Sequence, residues 1–446
     1  MMTKNKYGLV WNKDTEAEKV VLMCQEKKPE LKEIKEKEIK TNNSVSNMLI
    51  EGDNYLSLTV LSKQYSEKVD FIYIDPPYNT GSKHDFKYND CWVSKHDKCS
   101  HSKWLNFIYK RLVIAKNLLK DSGIIFISIG EKEVSNLNLI CSEIFGEENF
   151  LSLITRVSKT ASDKGNHFAP SCDYIVCYAK NKERLNPDNF YEEVDESLYK
   201  KCDEKGRFRD DVAFYQASLD PMRGCINQRY YIKAPDGSLL IPPGNIFPED
   251  LKDAAFIRPK TKHDKVWRWS YETYLKQKKL LVFKETKNSP LLNEFKEKAK
   301  YNVYTKSYLS ERREKGVKPR NFLTDKKFLN RKGTDYLKSM GLDFSYSKPK
   351  ELIMHLISIV HLPEDALILD FFAGSGTTGE AVLTLNKKEN ANRTFILCTN
   401  NEDNICEKIC YPRLQKAIQG YYKKDSSEFV EGLGGNLKYF KADFKN

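Results

Sequence analysis

No Cys-x-x-Cys occurs in this chain, although eleven of its 446 residues are cysteine. Cys91 with Cys99, and Cys398 with Cys406 and Cys410, have no matching halves and no histidine partners at zinc spacing. Free thiols are therefore expected, and no metal site. Any apolar run long enough to cross a bilayer is missing too, and the opening "MMTKNKYGLVWNKD" holds no signal-peptide core. These absences point to a reducing, cytoplasmic setting with no membrane partner. Internal repeats and low-complexity tracts are also lacking, which excludes solenoids and fibrous arrays.

Hydrophobic residues make up 40% of the chain, enough for a packed core, and the length allows about three domains. Lysine and arginine number 74 against 62 acids, a formal charge of +12 that suits a polyanionic partner. Much of the excess lies in "RPKTKHDKVWRWS" (258–270), "KQKK" (276–279) and "ERREKGVKPR" (311–320). Arg268 stands between Trp267 and Trp269, and interleaved cations and rings are what phosphate contact plus base stacking requires. Lys260, Lys262, Trp267, Arg268, Trp269, Lys318 and Arg320 are thus candidate nucleic-acid contacts. The alternative is a solvated surface over an ordinary aromatic core. The charge-balanced "EKKPELKEIKEKEIK" (26–40) is expected to be an exposed helix or tether.

In "FIYIDPPYNTG" (71–81), a β-branched and aromatic run too short for a helix stops at Asp75. Pro76 and Pro77 fix their own φ angles, push the preceding residues into extended conformations and remove two N–H donors. The Asp75 carboxylate and nearby carbonyls then form a stiff cluster of acceptors suited to an amino group, with the flat ring of Tyr78 beside it. A proline-stiffened loop with a core tyrosine fits the same four residues. Downstream, "SKWLNFIYKRLVIAKNLLKDSG" carries Trp104, Ile108, Leu112, Ala115 and Leu119 at helical spacing and is expected to be a helix closed by Gly123. "GIIFISI" follows as a strand, "VSNLNLICSEIFG" as a helix and "DYIVCYAK" as a strand, an alternation that implies a mostly parallel sheet.

The alternation fades over 181–345 and returns near 349 with "KPKELIMHLISIV" as helix, "ALILDFF" as strand, "AGSGTTG" as glycine turn, "EAVLTLN" as helix and "RTFILCT" as strand. Gly374, Gly376 and Gly379 satisfy G-x-G-x-x-G between a strand and a helix, so a dinucleotide fold enters consideration. At the end of the second strand, where that fingerprint expects an acid, stand Thr399 and Asn400, with Glu402 just beyond; the lysine of a P-loop is absent. The loop therefore admits a nucleotide-like cofactor of unsettled class.

"DPPYNTG" at 75–81 followed by "DFFAGSGTT" at 370–378 resembles the β-group of DNA amino-methyltransferases, in which the catalytic motif precedes the S-adenosylmethionine (SAM) motif. "EGDN" (51–54), "YNDCW" (88–92), "SKWLNFIYKRL" (102–112), "IFGEENF" (144–150), "VWRWS" (266–270) and "ICYPR" (409–413) are similar to the modification (Mod) subunits of type III restriction-modification systems. The likeness runs over nearly the whole chain and is patchy in the middle.

The resemblance implies an α/β, Rossmann-like, SAM-dependent methyltransferase fold, circularly permuted, with an inserted target-recognition region. Its implied layout is a charged extension at 1–47, a catalytic half at 48–180, a DNA-binding region at 181–345 and a SAM-binding half at 346–446. Carried over, Asp75 and Pro76 accept hydrogen bonds from the exocyclic amine of a flipped base, Pro77 stiffens the turn and Tyr78 stacks on the ring. Phe372, Gly374 and Gly376 line the SAM site with Asp370 and Thr377 beside them; Asp53 faces the adenosine end. Thr399 stands where many relatives place a ribose-binding acid, which leaves Glu402 as a substitute candidate. Implied partners are duplex DNA, a second copy of the chain and a restriction (Res) subunit; the implied cofactor is SAM, with no metal. The expected activity is N6-adenine methylation, against cytosine-N4 methylation, an orphan regulatory methyltransferase, a nicotinamide oxidoreductase and a silent DNA-binding core.

Overall fold

All six residues of Val69–Ile74 are buried. A run buried on both faces belongs inside a parallel sheet. The structure, a computed structural model, describes residue 11 and residues 17–41, 46–82, 85–89, 91–160 and 167–445. Apart from Trp11, the opening "MMTKNKYGLVWNKD" lies outside the described residues, as do 42–45 of the expected 1–47 extension. The chain folds as two units, Met1–Tyr191 with Lys318–Asn446, and Glu192–Val317.

The first unit carries a ten-stranded sheet. In chain order its strands are β1 (Pro29–Glu33), β2 (Ser46–Glu51), β3 (Val69–Ile74), β4 (Leu119–Ile129), β5 (Phe150–Val157), β6 (Cys172–Ala179), β7 (Phe322–Leu323), β8 (Leu367–Asp370), β9 (Thr394–Thr399) and β10 (Asn436–Phe444). Across the sheet they run β1-β10-β2-β9-β8-β3-β4-β6-β5-β7. From β10 to β4 every neighbouring pair is parallel, while β6 is antiparallel to β4 and β5, and β1 to β10. After β8 the chain steps outward to β9, and after β3 it steps the other way to β4. The order therefore reverses between β8 and β3, and the crevice at such a point is where open α/β sheets bind ligands.

Helices α1 (Asn54–Gln64), α2 (Ser100–Leu118) and α3 (Val134–Phe145) cover one face of the sheet; α4 (Lys350–Ser358), α5 (Thr377–Glu389) and α6 (Tyr411–Gln419) cover the other. The alternation of β3 is responsible: Ile72 and Ile74 join the core with Leu58, Trp104 and Leu137, whereas Phe71 and Tyr73 join the core with Leu352, Val382 and Leu414.

Two segments differ from expectation. The helix expected to run to Gly123 ends at Leu118, because Leu119 already pairs with Val69 and a bulge between Val69 and Phe71 takes up the extra residues. Within "EKKPELKEIKEKEIK", Pro29–Glu33 is an edge strand on β10 rather than a helix or tether. Its charges suit an edge, where they discourage pairing with another chain.

The second unit, Glu192–Val317, is narrower than the 181–345 region set out above, because β7 completes one edge of the large sheet. Its four-stranded antiparallel sheet runs Leu281–Glu285, Tyr301–Tyr308, Gly206–Ala213, Lys201–Asp203. Phe214, Tyr230, Trp267 and Tyr274 form its core. Arg229 is fully buried there and donates to the carbonyls of Pro242, Pro243, Ile246 and Lys265, which gathers the loops around it.

Candidate active site

Asp75 follows directly on β3 and Asp370 closes β8. The register pairing Ile368 with Phe71 and Leu369 with Ile72, continued three residues, brings Phe372 level with Asp75. The two motifs, nearly three hundred residues apart, thus share the crevice at the sheet's reversal point.

Around Asp75 the loop is held from several directions. The indole Nε1–H of Trp104, buried in α2, donates to the Pro77 carbonyl at 2.7 Å. Asn79 sits at φ 53° and is fully buried; its side-chain amide donates to Glu133 Oε1 at 2.5 Å, and its backbone carbonyl accepts from Lys132 Nζ at 2.5 Å. Glu133 is buried too and also meets His101 Nδ1 at 2.7 Å and Asn136 Nδ2 at 2.7 Å. An acid with that many partners fixes the turn behind Asp75 and Tyr78. Gly130 allows the loop to lie close, since a Cβ there would come within 2.8 Å of Tyr78 Cδ2.

Within this frame Asp75 Oδ1 and the Tyr78 hydroxyl are buried without a hydrogen-bond partner. Among the described residues the Pro76 carbonyl also accepts no bond. Buried polar atoms left open in a native fold call for an explanation, and a ligand is one. Burial raises the Tyr78 phenol well above its usual range, with the Asp75 carboxylate adding to the effect, so the ring is neutral. Asp75 Oδ2 accepts from Lys348 Nζ at 2.6 Å. Lys348 was not among the expected site residues; it precedes Pro349, which keeps it extended, just before α4.

At the glycine loop, Gly374 and Gly376 have φ of 49° and 80°, and Gly376 is the N-cap of α5. These are backbone conformations that L side chains seldom adopt. A Cβ on Gly374 would meet nothing nearer than the Phe372 carbonyl at 3.9 Å, so open space lies against the backbone. Asp370 accepts from Phe372 N at 3.0 Å and from Thr378 Oγ1 at 2.5 Å. Burial lifts its carboxyl to about 7, with Asp75 contributing. Thr377 is held from behind by the buried Arg413, whose guanidinium donates to its hydroxyl at 2.7 Å and to Glu380 Oε2 at 2.7 Å. Burial pushes the Glu380 carboxyl up, but Arg413 and Lys350 outweigh it and hold the group below its ordinary range.

Other expected residues are placed as follows. Asp53, after β2, caps α1 by accepting from Tyr55 N at 2.7 Å and Leu56 N at 3.3 Å; its other oxygen lies 3.7 Å from Arg111. Thr399 is buried at the end of β9 and its hydroxyl donates to the Asn400 carbonyl at 3.3 Å. Glu402 is half-exposed and pairs with Lys87 at 2.6 Å. In the second unit Lys260, Lys262 and Arg268 are exposed. Asp264 accepts from Lys260 N and Thr261 N and so organises the loop that presents the two lysines. Trp267 does not serve as a base-stacking platform: it is fully buried, stacked on Phe214 at 5.1 Å, with its N–H on the Tyr230 carbonyl. Trp269 is half-buried and meets Phe214 edge-on. Lys318 and Arg320 are exposed and belong to the first unit. Lys318 donates to the Pro187 carbonyl. Among the described residues no group of three or more His, Cys, Asp or Glu is placed to hold a metal ion, and no helix is long and apolar enough to cross a membrane.

The profile of a family described as DNA methylase matches residues 69–410, a span that contains both motifs. The chain is 30% identical over 449 residues to the type III restriction-modification enzyme EcoPI Mod subunit of Escherichia phage P1, covering 91% of this chain and 67% of that subunit. It is 32% identical over 382 residues to the type II methyltransferase M.KpnI of Klebsiella pneumoniae, covering 83% and 84%. Among solved structures, the cytosine-N4-specific PvuII DNA methyltransferase aligns over 86% of this chain and 89% of its own at 11% identity, with a TM-score of 0.39.

Proposed function

The chain belongs to the DNA methylase family matched over residues 69–410, and from that premise we propose that it transfers the methyl group of SAM to the N6 amino group of adenine in duplex DNA, as the modification component of a restriction-modification system. The observation that carries this reading is the bare, buried Asp75 Oδ1 beside the neutral Tyr78 ring, at the point where the sheet order reverses. Adenine is favoured because β-group relatives acting on cytosine N4 more often carry serine at the position of Asp75. The relatives' Mod roles favour a Res subunit as partner, the basic loop of the second unit favours DNA, and a cytoplasmic location follows from both. The order of the two motifs favours a permuted methyltransferase chain.

The open space at Gly374, together with the positive φ of Gly374 and Gly376, fits SAM. Phe372, Gly374, Gly376 and Thr377 would hold it, with Asp370 shaping the loop from beneath and Asp53 and Glu402 toward the adenosine. Bound there, SAM would supply an electrophilic sulfonium methyl, with S-adenosylhomocysteine as the neutral leaving group.

The chain's own residues make that lone pair available. In adenine it is delocalised into the ring and, in a duplex, the amine is paired as well. Extracting the base costs about a few kcal/mol, offset by stacking on Tyr78. Asp75 Oδ1 and the Pro76 carbonyl accept the two N–H bonds, which favours a pyramidal nitrogen and turns its lone pair toward the methyl group. One proton then leaves nitrogen toward Asp75 and solvent. Positioning supplies most of the rate, and a ~1 Å error costs about a hundredfold. Trp104, Glu133 and the two prolines restrain the loop against such errors.

The test is to incubate the protein with SAM and methylation-free genomic DNA, digest to nucleosides and identify the product by mass spectrometry. N6-methyladenine that disappears with Asp75→Ala, while SAM binding persists, establishes the reading, and sequencing the product then gives the methylated word. N4-methylcytosine would replace adenine as the substrate, and no methylated base despite SAM binding would overturn the reading.

A further inference from the structure

We propose that the ammonium of Lys348 holds, in the enzyme at rest, the Asp75 carboxylate and the Tyr78 ring that the target base will use, so that a base is admitted by exchanging one N–H donor for another at Asp75. The inference rests on the functional reading above. Lys348 Nζ meets the same two side chains that the reading gives to the base: it donates to Asp75 Oδ2 at 2.6 Å, beside the Oδ1 kept for the amine, and it lies 5.0 Å from the centre of the Tyr78 ring. Close to Tyr78 Cδ2 the space is taken by the Gly130 backbone, so the ring has limited room to turn away from the lysine.

The pair is well shielded, with side-chain exposures of 11% for Lys348 and 23% for Asp75. A partly buried carboxylate without a partner is costly, and Lys348 meets that need when no DNA is present. The arrangement is asymmetric: Oδ2 is occupied and Oδ1 is bare, so an incoming amine can engage Oδ1 before the lysine releases Oδ2. Exchange of this kind never strips the acid of all its donors.

Lys348 is also built to swing rather than drift. Its carbonyl accepts from Ser347 Oγ at 3.2 Å and Thr377 Oγ1 at 3.4 Å. Gly333 packs so tightly that a Cβ there would fall 2.6 Å from the Lys348 carbonyl carbon. The backbone is thereby pinned, and the four-carbon stem is the part free to change rotamer.

The consequence concerns base admission ahead of methyl transfer. Shortening the donor should open the pocket, and strengthening it should close it. The test uses duplexes carrying the methylated word with 2-aminopurine, which brightens on unstacking, beside the target adenine, together with KM for unmodified DNA and SAM titrations. Lys348→Met, which keeps the stem and loses the ammonium, is expected to raise 2-aminopurine emission without SAM and to lower KM for DNA by about three- to tenfold. Lys348→Arg, whose fork grips the carboxylate more firmly, is expected to shift both in the opposite direction. Both variants should bind SAM like the wild type.

Opposite shifts cannot come from misfolding, which would weaken both variants alike. Unchanged emission and KM with a kcat loss of about tenfold or more in Lys348→Met would overturn the proposal and leave Lys348 as a residue that only orients Asp75. Lost SAM binding would overturn it too, by assigning the lysine to the cofactor. Should the wild type methylate no base at all, the functional reading fails and this inference with it.

Discussion

At the scale of single residues, the loop that carries Asp75 depends on donors that come from far away in the chain. Trp104→Phe keeps the volume in α2 but removes the N–H on the Pro77 carbonyl. We expect about 1–3 kcal/mol of lost stability and a kcat lower by about ten- to a hundredfold, with SAM affinity unchanged; stopped-time methylation assays and equilibrium titration check both. Asp370 gives a prediction in pH. Unfolded, its carboxyl titrates near 3.9, and folded at about 7, so from roughly pH 4 to 7 the native state holds a proton that the unfolded state has lost. Its contribution to stability is full below about 4 and is lost as pH rises through 7. Asp370→Asn, which cannot ionise, should therefore lose less Tm than the wild type between pH 5 and pH 8; parallel melting curves would refute this. The stiff turn that carries Asp75 and Tyr78 is legible in the sequence because two prolines after an apolar run leave few alternatives for the backbone. Lys348 is not legible, because its partner lies 273 positions away and nothing local marks a lysine before a proline as belonging to an acid there. Trp104 passes for core for the same reason: its ring is core, and only its N–H does something else.

At the scale of elements, hydrophobic patterning reports correctly on β3, β4, β8 and β9, whose unbroken apolar runs are buried on both faces, and on the helices between them, which bury one face at helical spacing. It fails where a ladder overrides it. Leu119 continues the helical spacing of α2 but pairs with Val69, and the charged edge strand β1 has no period of its own to betray it. The glycine loop and α6 form a further element-level unit, joined by Arg413 to Thr377 and Glu380. Arg413→Met removes the cation and leaves Glu380 with Lys350 and Tyr336 alone. A loss of about 3–5 kcal/mol in denaturant unfolding is expected, together with weaker SAM binding as Thr377 loses its donor. Unfolding at the wild-type midpoint would show that the pair carries no net stability.

At the scale of the whole molecule, the net charge of +12 predicts DNA binding that falls steeply with salt. Contact with about six phosphates would cost about a thousandfold in affinity between 50 and 200 mM. Reversing Lys318 and Arg320 together should weaken DNA binding and spare SAM; equal loss of both in titrations would point to misfolding instead. Composition made the charge legible, but it could not separate Lys260, Lys262 and Arg268, which reach solvent, from Trp267, which the same short stretch sends into the core. One further feature reaches beyond chemistry. The second unit begins and ends on a single antiparallel bridge, with Glu192 N on the Val317 carbonyl at 2.7 Å and Val317 N on the Glu192 carbonyl at 3.3 Å. A segment whose two ends are stapled together can be exchanged as a cassette without disturbing the strand order of its host.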